Sequence, residues 1–393
     1  MRLGGALALA AALLVVLVGG IWLGGHPAKL PEFLREKLVD GSAGLNVEAT
    51  ELIEDNYYRK VGSRRLTDAS LQGMVRELRR HYHDRFSDYF SPEVQQHFDE
   101  EISGHFSGIG LTVAEARRGL RVTKVFAHSP ADRAGIVAGD LIVSVEGSSI
   151  AGESSEESTK KIRGVEGTEV TVGVRRPPHG KLRELSITRA EIRTPITSTR
   201  IARVGGRKLG YVRFAIFDEG SHALLRHAVR KVEREGAEGI VLDLRGNGGG
   251  LLQEAVLCAS VFLPKDEVVV STRSRTQGHA VYKTVGGSLP ARPLAVLIDR
   301  NTASAAEILT AALADDAGAK TVGTRSYGKG VFQQEIGLSN GGALKLTVGE
   351  YFTPDGVNLA GRGIHPDVAA RDLPDTSRDE ALARALAVLA AHQ

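Results

Sequence analysis

The pattern of apolar and polar positions divides the chain into segments of different kinds. From Leu3 to Gly25 no residue is charged, and about 20 apolar residues can cross a bilayer as a helix. Arg2 precedes this run, which favours an N-terminus held in the cytoplasm. We predict an uncleaved signal anchor over residues 1–25 in preference to a cleaved signal peptide, because no A-x-A cleavage site closes the segment. Either way, the rest of the chain is exported.

Three further patterns follow. Apolar residues recur at helical spacing from residue 44 to about residue 100, so residues 26–105 are predicted as a helical region. Residues 106–195 show short alternating strands separated by turns, and residues 196–370 alternate buried strands with amphipathic helices, which is typical of an α/β domain. A capping box at residues 377–380, before an Ala/Leu-rich stretch, predicts a C-terminal helix within residues 371–393.

Composition narrows the possible functions. Lys and Arg total 50 against 47 acidic residues, a net charge of +3, which does not indicate a nucleic-acid binder. The single cysteine, Cys258, excludes an intramolecular disulfide and a cysteine-based zinc site, and we expect no metal or cofactor. Glycine supplies 46 of the 393 residues, above the usual level of about 7%. No low-complexity tract accounts for this excess, so the glycines must serve particular turns and loops.

One glycine-rich loop suggests phosphate binding. Residues 323–330 match G-x-x-x-x-G-K, but Gly330 stands where a phosphate-binding loop needs Ser or Thr for magnesium. The residues after Gly330 look extended rather than helical, and an exported protein would lack a nucleotide supply. We therefore reject a phosphate-binding function for this loop.

Ser304 lies where a helix begins after the apolar strand that ends at Asp299. Ser304 and Glu307 form a capping-box pattern, and a serine in that place usually just caps the helix. The free N–H groups of a helix N-terminus can also stabilise an oxyanion, which would suit a nucleophile. The residues alone leave both interpretations open.

Residues 106–195 resemble a PDZ domain of the kind found in bacterial proteases. The resemblance rests on segments in a fixed order, among them Phe106–Leu111, Ser129–Ile136 and Gly139–Gly147. It implies that a peptide's terminal carboxylate binds backbone N–H groups while a strand edge pairs with the peptide. The residues implied are Gly108, Ile109, Gly110 and Leu111. A small β-barrel with ordinary turn glycines is the alternative.

Residues 47–370 resemble the carboxy-terminal processing proteases, tail-specific Ser/Lys peptidases of family S41 that contain an internal PDZ domain. The motifs are S-A-x-x-E at 304–307, G-K-G-x-x-Q at 328–333 and D-L-R-x-N-x-G-G at 243–250. Ser304 and Lys329 are 25 positions apart, which is the family spacing. Ala306 stands where many members have a second serine, but that position is not the nucleophile.

The resemblance implies a multidomain α+β and α/β protein. It would have a Clp-protease/crotonase-like α/β core, an inserted PDZ domain that is β-barrel-like, and an N-terminal transmembrane helix. The implied site consists of Ser304 as nucleophile, Lys329 as general base, Gln333 orienting the lysine, and the N–H groups of Gly249 and Ala305 as oxyanion hole. The choice of Gly249 within residues 248–250 is open. Only about one lysine in a thousand is neutral near pH 7.4 at the ordinary pKa of about 10.4, so burial should lower the pKa of Lys329.

The expected function is cleavage of exported proteins near or after recognition of their C-terminal tails. The expected partners are those tails and, through the N-terminal helix, the cell membrane. The catalytic part is expected outside the cytoplasm, and a homo-oligomer is possible. The alternative is a catalytically silent, membrane-anchored PDZ scaffold, which the intact set of Ser304, Lys329 and Gln333 disfavours. A Ser-His-Asp protease and a hydratase-like enzyme are disfavoured, the first by the context of the serine, the second by the PDZ block and the export signal.

Overall fold

The computed structural model describes residues 41–103, 105–178, 180–193, 195–372 and 378–391. The predicted membrane segment, Leu3–Gly25, lies outside these residues. None of the helices in the described ranges combines the length and the apolar character needed to cross a membrane. The described chain forms two compact units, one within residues 1–92 and 335–346, the other within residues 93–334 and 347–393.

The smaller unit is built on helices α1 (Gly41–Asn56) and α2 (Ser63–His81). Strand β1 (Asp88–Phe90) pairs antiparallel with residues 343–345. Val75 and Tyr89 are buried in this unit. The region is therefore helical apart from β1, a strand that the apolar pattern did not indicate.

The second unit begins within helix α3 (Pro92–Ser103) and continues through strand β2 (His105–Gly108) into a small β-sheet domain. Its strands follow the order β3-β4-β5-β7-β8, with β6 paired to β5. They are β3 (Leu111–Ala116), β4 (Gly119–Val125), β5 (Leu141–Val145), β6 (Ser148–Ser149), β7 (Glu169–Arg175) and β8 (Leu182–Thr188), with helices α4 (Pro130–Arg133) and α5 (Ser155–Ile162). Leu120, Ile142 and Val172 belong to its buried core. Among the described strands β3 pairs only with β4, so its outer edge is open.

The α/β domain is centred on a six-stranded sheet of order β10-β11-β12-β15-β16-β19. Its strands are β10 (Thr197–Val204), β11 (Arg207–Phe214), β12 (Gly239–Asp243), β15 (Leu294–Ile298), β16 (Lys320–Gly323) and β19 (Val368–Ala369). All pair in parallel except the antiparallel edge strand β10. The helices are α6 (Ser221–Arg234), α7 (Leu252–Ala259), α8 (Ala305–Asp316) and α9 (Glu380–Ala391).

Helices cover both faces of this sheet because successive strand residues point to opposite sides. On β12, Val241 belongs to the cluster that contains α9 residues, whereas Leu242 belongs to the cluster formed with α6, α7 and α8. Every residue of β12 and β15 is buried, which explains their continuous apolar runs. The apolar run over residues 251–262 predicts a longer helix than α7, which ends at Ala259 and is followed by tight turns.

The remaining strands are antiparallel. They are β9 (Ala190–Arg193), β13 (Val268–Ser274), β14 (Gly278–Lys283), β17 (Val331–Gly337) and β18 (Ala343–Phe352). β13 pairs with β14 and β18, and β17 pairs with β18. β9 pairs with β2, so the chain enters and leaves the small β-sheet domain through one two-stranded ribbon.

Candidate active site

The loops that follow β12 and β15 meet at the carboxyl end of the parallel sheet. Ligands of open α/β sheets bind at this edge. Three hydrogen bonds join the loops: Gly246 N–H to Asp299 Oδ1 (3.0 Å), Thr302 Oγ1 to the Leu244 carbonyl (2.9 Å), and Ala303 N–H to the Asn247 carbonyl (3.0 Å). These bonds bring the glycine loop, residues 245–250, against the segment that carries Ser304.

Ser304 has an unusual backbone conformation. Its φ is 56° and its ψ is −120°, a strained combination that costs a non-glycine residue about 1–3 kcal/mol and is often found at active sites. Ser304 is half-buried and directly precedes α8. Because Ala305 is the first residue of the helix, its N–H has no intrahelical partner. The predicted nucleophile and one predicted oxyanion donor are therefore neighbours at a helix N-terminus.

Gly249 is the residue of the 248–250 run that lies against Ser304. A Cβ built on Gly249 would stand 2.8 Å from Ser304 Cβ and 3.0 Å from Ala305 N, and its φ is +102°. Its N–H donates to Asn247 Oδ1 at 2.9 Å. Asn247 is fully buried, and the sequence prediction gave it no role. The backbone of Gly249 thus lies beside the serine with its N–H engaged by Asn247.

Lys329 belongs to a loop that packs between the Ser304 segment and residues 359–364. The Tyr327 N–H donates to the Thr302 carbonyl, and the Gly361 N–H donates to the Gly328 carbonyl, both at 2.9 Å. A Cβ on Gly328 would stand 2.8 Å from Gly363 N, so only glycine fits there. Lys329 itself is half-buried, and β17 starts two residues later in the extended form that the sequence predicts.

Gln333 lies on β17, and its side-chain amide donates to Thr347 Oγ1 on β18 at 3.3 Å. The sequence prediction gives Gln333 the task of orienting Lys329. This hydrogen bond joins the amide of Gln333, on the strand that follows the lysine loop, to the neighbouring strand β18. Its role toward Lys329 stays a prediction.

Glu307 is a fully buried carboxylate that the sequence prediction treated only as part of a helix cap. Its Oε2 accepts the N–H groups of Ser304 (2.9 Å) and Lys329 (3.0 Å). Its Oε1 accepts the Gly328 N–H (2.7 Å) and the Ser326 hydroxyl (2.5 Å). One side chain therefore binds both the serine segment and the lysine loop. The S-A-x-x-E motif contained this residue, but its spacing gave no reason to connect it with Lys329.

The predicted peptide-binding residues form the turn between β2 and β3. The carbonyls of Ile109 and Gly110 accept N–H groups of Ala131 and Phe126, at 2.8 and 3.0 Å. Within the described part of the chain, neither the Ile109 nor the Gly110 N–H donates to another residue. These two donors are thus available next to the open edge of β3, which begins at Leu111.

Comparison with known proteins agrees with this architecture. The family model for Peptidase family S41 matches residues 208–370, and that for the PDZ domain matches residues 107–188. A "Probable CtpA-like serine protease" of Staphylococcus aureus (strain bovine RF122 / ET3-1) is 36% identical over 320 residues, covering 81% of this chain and 62% of that protein. One of the same description from Staphylococcus haemolyticus (strain JCSC1435) is 33% identical over 321 residues, with 81% and 63% covered. The chain therefore spans less than two thirds of the length of these relatives.

Among solved structures, the photosystem II D1 C-terminal processing protease is similar, with 28% identity and a TM-score of 0.50. The match covers 89% of this chain and 98% of that one. Together the matches define a peptidase fold with an internal PDZ domain. Residues 208–370 therefore form a domain of peptidase family S41, and the resemblance of the chain to the carboxy-terminal processing proteases is confirmed.

Proposed function

We propose that the chain is a serine endopeptidase in which Ser304 is the nucleophile and Lys329 the general base. The observation that carries the proposal is the meeting of both segments at Glu307, whose Oε2 accepts the backbone N–H of each. A serine at a helix N-terminus and a lysine held in the adjacent loop are the two groups that a Ser/Lys mechanism needs. The match of residues 208–370 to family S41 supports the same assignment.

The reaction would proceed through an acyl-enzyme. Lys329 Nζ, in its neutral form, takes the hydroxyl proton as Ser304 Oγ attacks the peptide carbonyl, and it then gives that proton to the leaving amine. The neutral lysine then takes a proton from water as the water oxygen attacks the ester, and it returns that proton to Ser304 Oγ as the acyl group leaves. The Ala305 N–H supplies one donor to the oxyanion. Gly249 supplies the second once its N–H is shared with, or released from, Asn247 Oδ1, and Gln333 orients the lysine.

The PDZ domain would recognise the substrate. Among the described residues the N–H groups of Ile109 and Gly110 have no acceptor, which suits a terminal carboxylate, with Gly108 and Leu111 completing the turn. The open edge of β3 suits an extended peptide. We propose that the C-terminal tails of exported proteins bind here, and that the segment Leu3–Gly25 anchors the chain in the cell membrane with the peptidase outside the cytoplasm. A silent PDZ scaffold is less well supported, because it would not need both Ser304 and Lys329.

A peptidase assay of the full chain tests the proposal. The substrates share one unstructured sequence and differ only in their last three residues. We expect cleavage of substrates with apolar C-termini, and a loss of at least about 1,000-fold in kcat for Ser304→Ala and Lys329→Ala. Lys329→Ala with full activity would exclude the Ser/Lys mechanism. Equal cleavage of all tails would exclude tail recognition, and tail binding without any Ser304-dependent cleavage would favour the scaffold.

A further inference from the structure

We infer that Glu307 is a positioning residue that fixes Ser304 and Lys329 relative to one another, an inference that rests on the proposed function. An ionised carboxylate has about four lone-pair sites and no donor. The four donors around Glu307 fill them: the N–H groups of Ser304, Gly328 and Lys329 and the hydroxyl of Ser326, at 2.5–3.0 Å. The side chain is therefore saturated by the two segments that must meet for catalysis.

This arrangement is more than a helix cap. A capping box requires of its glutamate a single bond, to the N-cap N–H, which here is the bond to Ser304. The other three donors lie 19 to 22 positions further along the chain. Ser326 extends the connection, because its Oγ also accepts the Ile364 N–H at 2.6 Å. Glu307 thus joins the nucleophile to the base loop, and through Ser326 to residues 359–364.

Burial makes the carboxylate hard to replace. A buried charge is tolerated only when it is fully hydrogen-bonded, and Glu307 has no exposed surface. Burial and the neighbouring charge of Glu307 raise the pKa of Tyr351 well above its ordinary value, so Tyr351 is neutral and offers no competing charge. A glutamine at position 307 would keep the shape, but its NH2 group cannot accept and would face N–H or O–H donors. Two of the four donors would then lose their acceptor.

The positions that Glu307 fixes are those on which the chemistry depends. Ser304 has the strained φ of 56°, which persists only where its surroundings impose it. The backbone of Lys329 is held by the same Oε2 atom. A misplacement of about 1 Å between reacting groups can cost about 100-fold in rate. We therefore expect Glu307→Gln to lower kcat by about 100-fold and to change KM less than threefold, because Glu307 does not touch the peptide.

Glu254→Gln is the matched control. Glu254 is also a buried carboxylate at a helix N-terminus, and it accepts from Gly220, Ser221 and His222, none of which belongs to the serine segment or the lysine loop. Both variants should lower the melting temperature, and both are assayed at a temperature where they remain folded. Because these donors directly follow the segment bonded to Gly249, we expect Glu254→Gln to lower kcat by less than about tenfold, against about 100-fold for Glu307→Gln. Equal losses of kcat in the two variants would overturn the inference, since the effect would then be a general result of losing a buried carboxylate.

A second measurement does not depend on peptidase activity. In Ser304→Cys the new thiol is half-exposed, whereas Cys258, the other cysteine, is fully buried. The pH dependence of iodoacetamide labelling then reports the pKa of the thiol at position 304. The ammonium of Lys329 should hold this pKa below the ordinary value of about 8.5. If Glu307→Gln removed only a negative charge, the pH midpoint of labelling would fall further. If it also lost the alignment with Lys329, the midpoint would rise toward the ordinary value.

We expect Ser304→Cys/Glu307→Gln to show the raised midpoint. An unchanged or lowered midpoint, or a Glu307→Gln enzyme within threefold of the unchanged kcat, would overturn the inference while leaving the proposed function in place. An ordinary midpoint in Ser304→Cys itself, together with no Ser304-dependent cleavage by the unchanged protein, would overturn the proposed function, and with it the role of Glu307.

Discussion

At Gly249 the space for a side chain is already occupied. An added Cβ would lie 2.8 Å from both Ser304 Cβ and the Ala303 carbonyl oxygen, at a φ of +102° that other residues rarely adopt. We expect Gly249→Ala to displace the loop from Ser304, lowering kcat by about 100-fold and the free energy of unfolding by about 1–3 kcal/mol. Peptidase assays and urea unfolding measure the two effects.

Gly248→Ala provides the comparison. A Cβ on Gly248 would meet nothing within 4 Å, and its φ is not in the left-handed region. We expect it to lose less than about tenfold in kcat. If the two variants lost equal activity, close contact with Ser304 would not be what makes Gly249 necessary.

Single residues also show how far the sequence alone can lead. Ser304 and Lys329 could be selected because their motifs and their spacing match a known family. Asn247 and Glu307 lie inside the same motifs, but their bonds reach across the fold: Asn247 to Gly249 and to a carbonyl of β11, Glu307 to the lysine loop. Local spacing does not encode such contacts, so their tasks required the structure.

At the scale of elements, Arg245 joins the glycine loop to helix α9. Its guanidinium donates to Asp243 on β12 (2.6 and 2.9 Å) and to Asp379 just before α9 (two bonds of 2.9 Å). Asp379 in turn accepts the Leu382 N–H and so caps the helix. The predicted capping box began at Ser377, which lies outside the described residues; in the described part, Asp379 makes the cap.

We expect Arg245→Ala to lower the free energy of unfolding by about 3 kcal/mol, because buried Asp243 loses its charged partner and keeps only neutral donors such as the Tyr211 hydroxyl. Arg207→Ala is the control, since Arg207 holds the other end of α9 through the carbonyls of Leu389 and Ala390. Its ion pair with Glu238 is more exposed and should contribute at most about 1 kcal/mol. Urea unfolding followed by circular dichroism measures both; equal losses would contradict the assignment.

The effect of Arg245→Ala should depend on pH. Burial alone would raise the pKa of Asp379, but the hydrogen bonds from Arg245 and Leu382 hold it below its ordinary value. A pKa that is lowered by folding stabilises the protein at pH values above the pKa in the unfolded state, about 3.9. This stabilisation is lost as the pH falls through the pKa in the folded state. The difference in the free energy of unfolding between the unchanged protein and Arg245→Ala should therefore become smaller below about pH 4. A gap that widened there would contradict the role given to Asp379.

The central strands could be predicted from the sequence because their burial leaves a local pattern. β12 and β15 are buried on both faces and therefore appear in the sequence as unbroken apolar runs. β1 has only three residues, and its partner residues, 343–345, are more than 250 positions away in the chain. No local periodicity can indicate such a strand. Strands that are buried on both faces can thus be predicted from the local sequence, whereas a short strand that pairs with a distant segment cannot.

At the scale of the whole molecule, a hydrogen bond joins the ribbon of the PDZ domain to the peptidase domain. Arg193 on β9 donates to the Glu219 carbonyl at 3.0 Å. Two residues before Glu219, the Phe217 N–H donates to the Gly249 carbonyl, also at 3.0 Å. The strand that leaves the PDZ domain is therefore bonded to the segment that supports the glycine loop beside Ser304. Arg193 is exposed, so it can be replaced without disturbing a core.

We expect Arg193→Ala to lower kcat by about fivefold, the effect of about 1 kcal/mol of lost support. Binding of a C-terminal peptide to the PDZ domain should stay within twofold, because Arg193 lies outside the turn formed by Gly108–Leu111. Arg203→Ala is the control: Arg203 is exposed on β10, and its side chain makes no hydrogen bond or ion pair with any other described residue. Fluorescence anisotropy measures peptide binding and the peptidase assay measures kcat. Peptide binding that weakened in step with kcat would mean that Arg193 serves the PDZ domain itself, whereas loss of kcat alone would mean that the ribbon supports the catalytic loop directly.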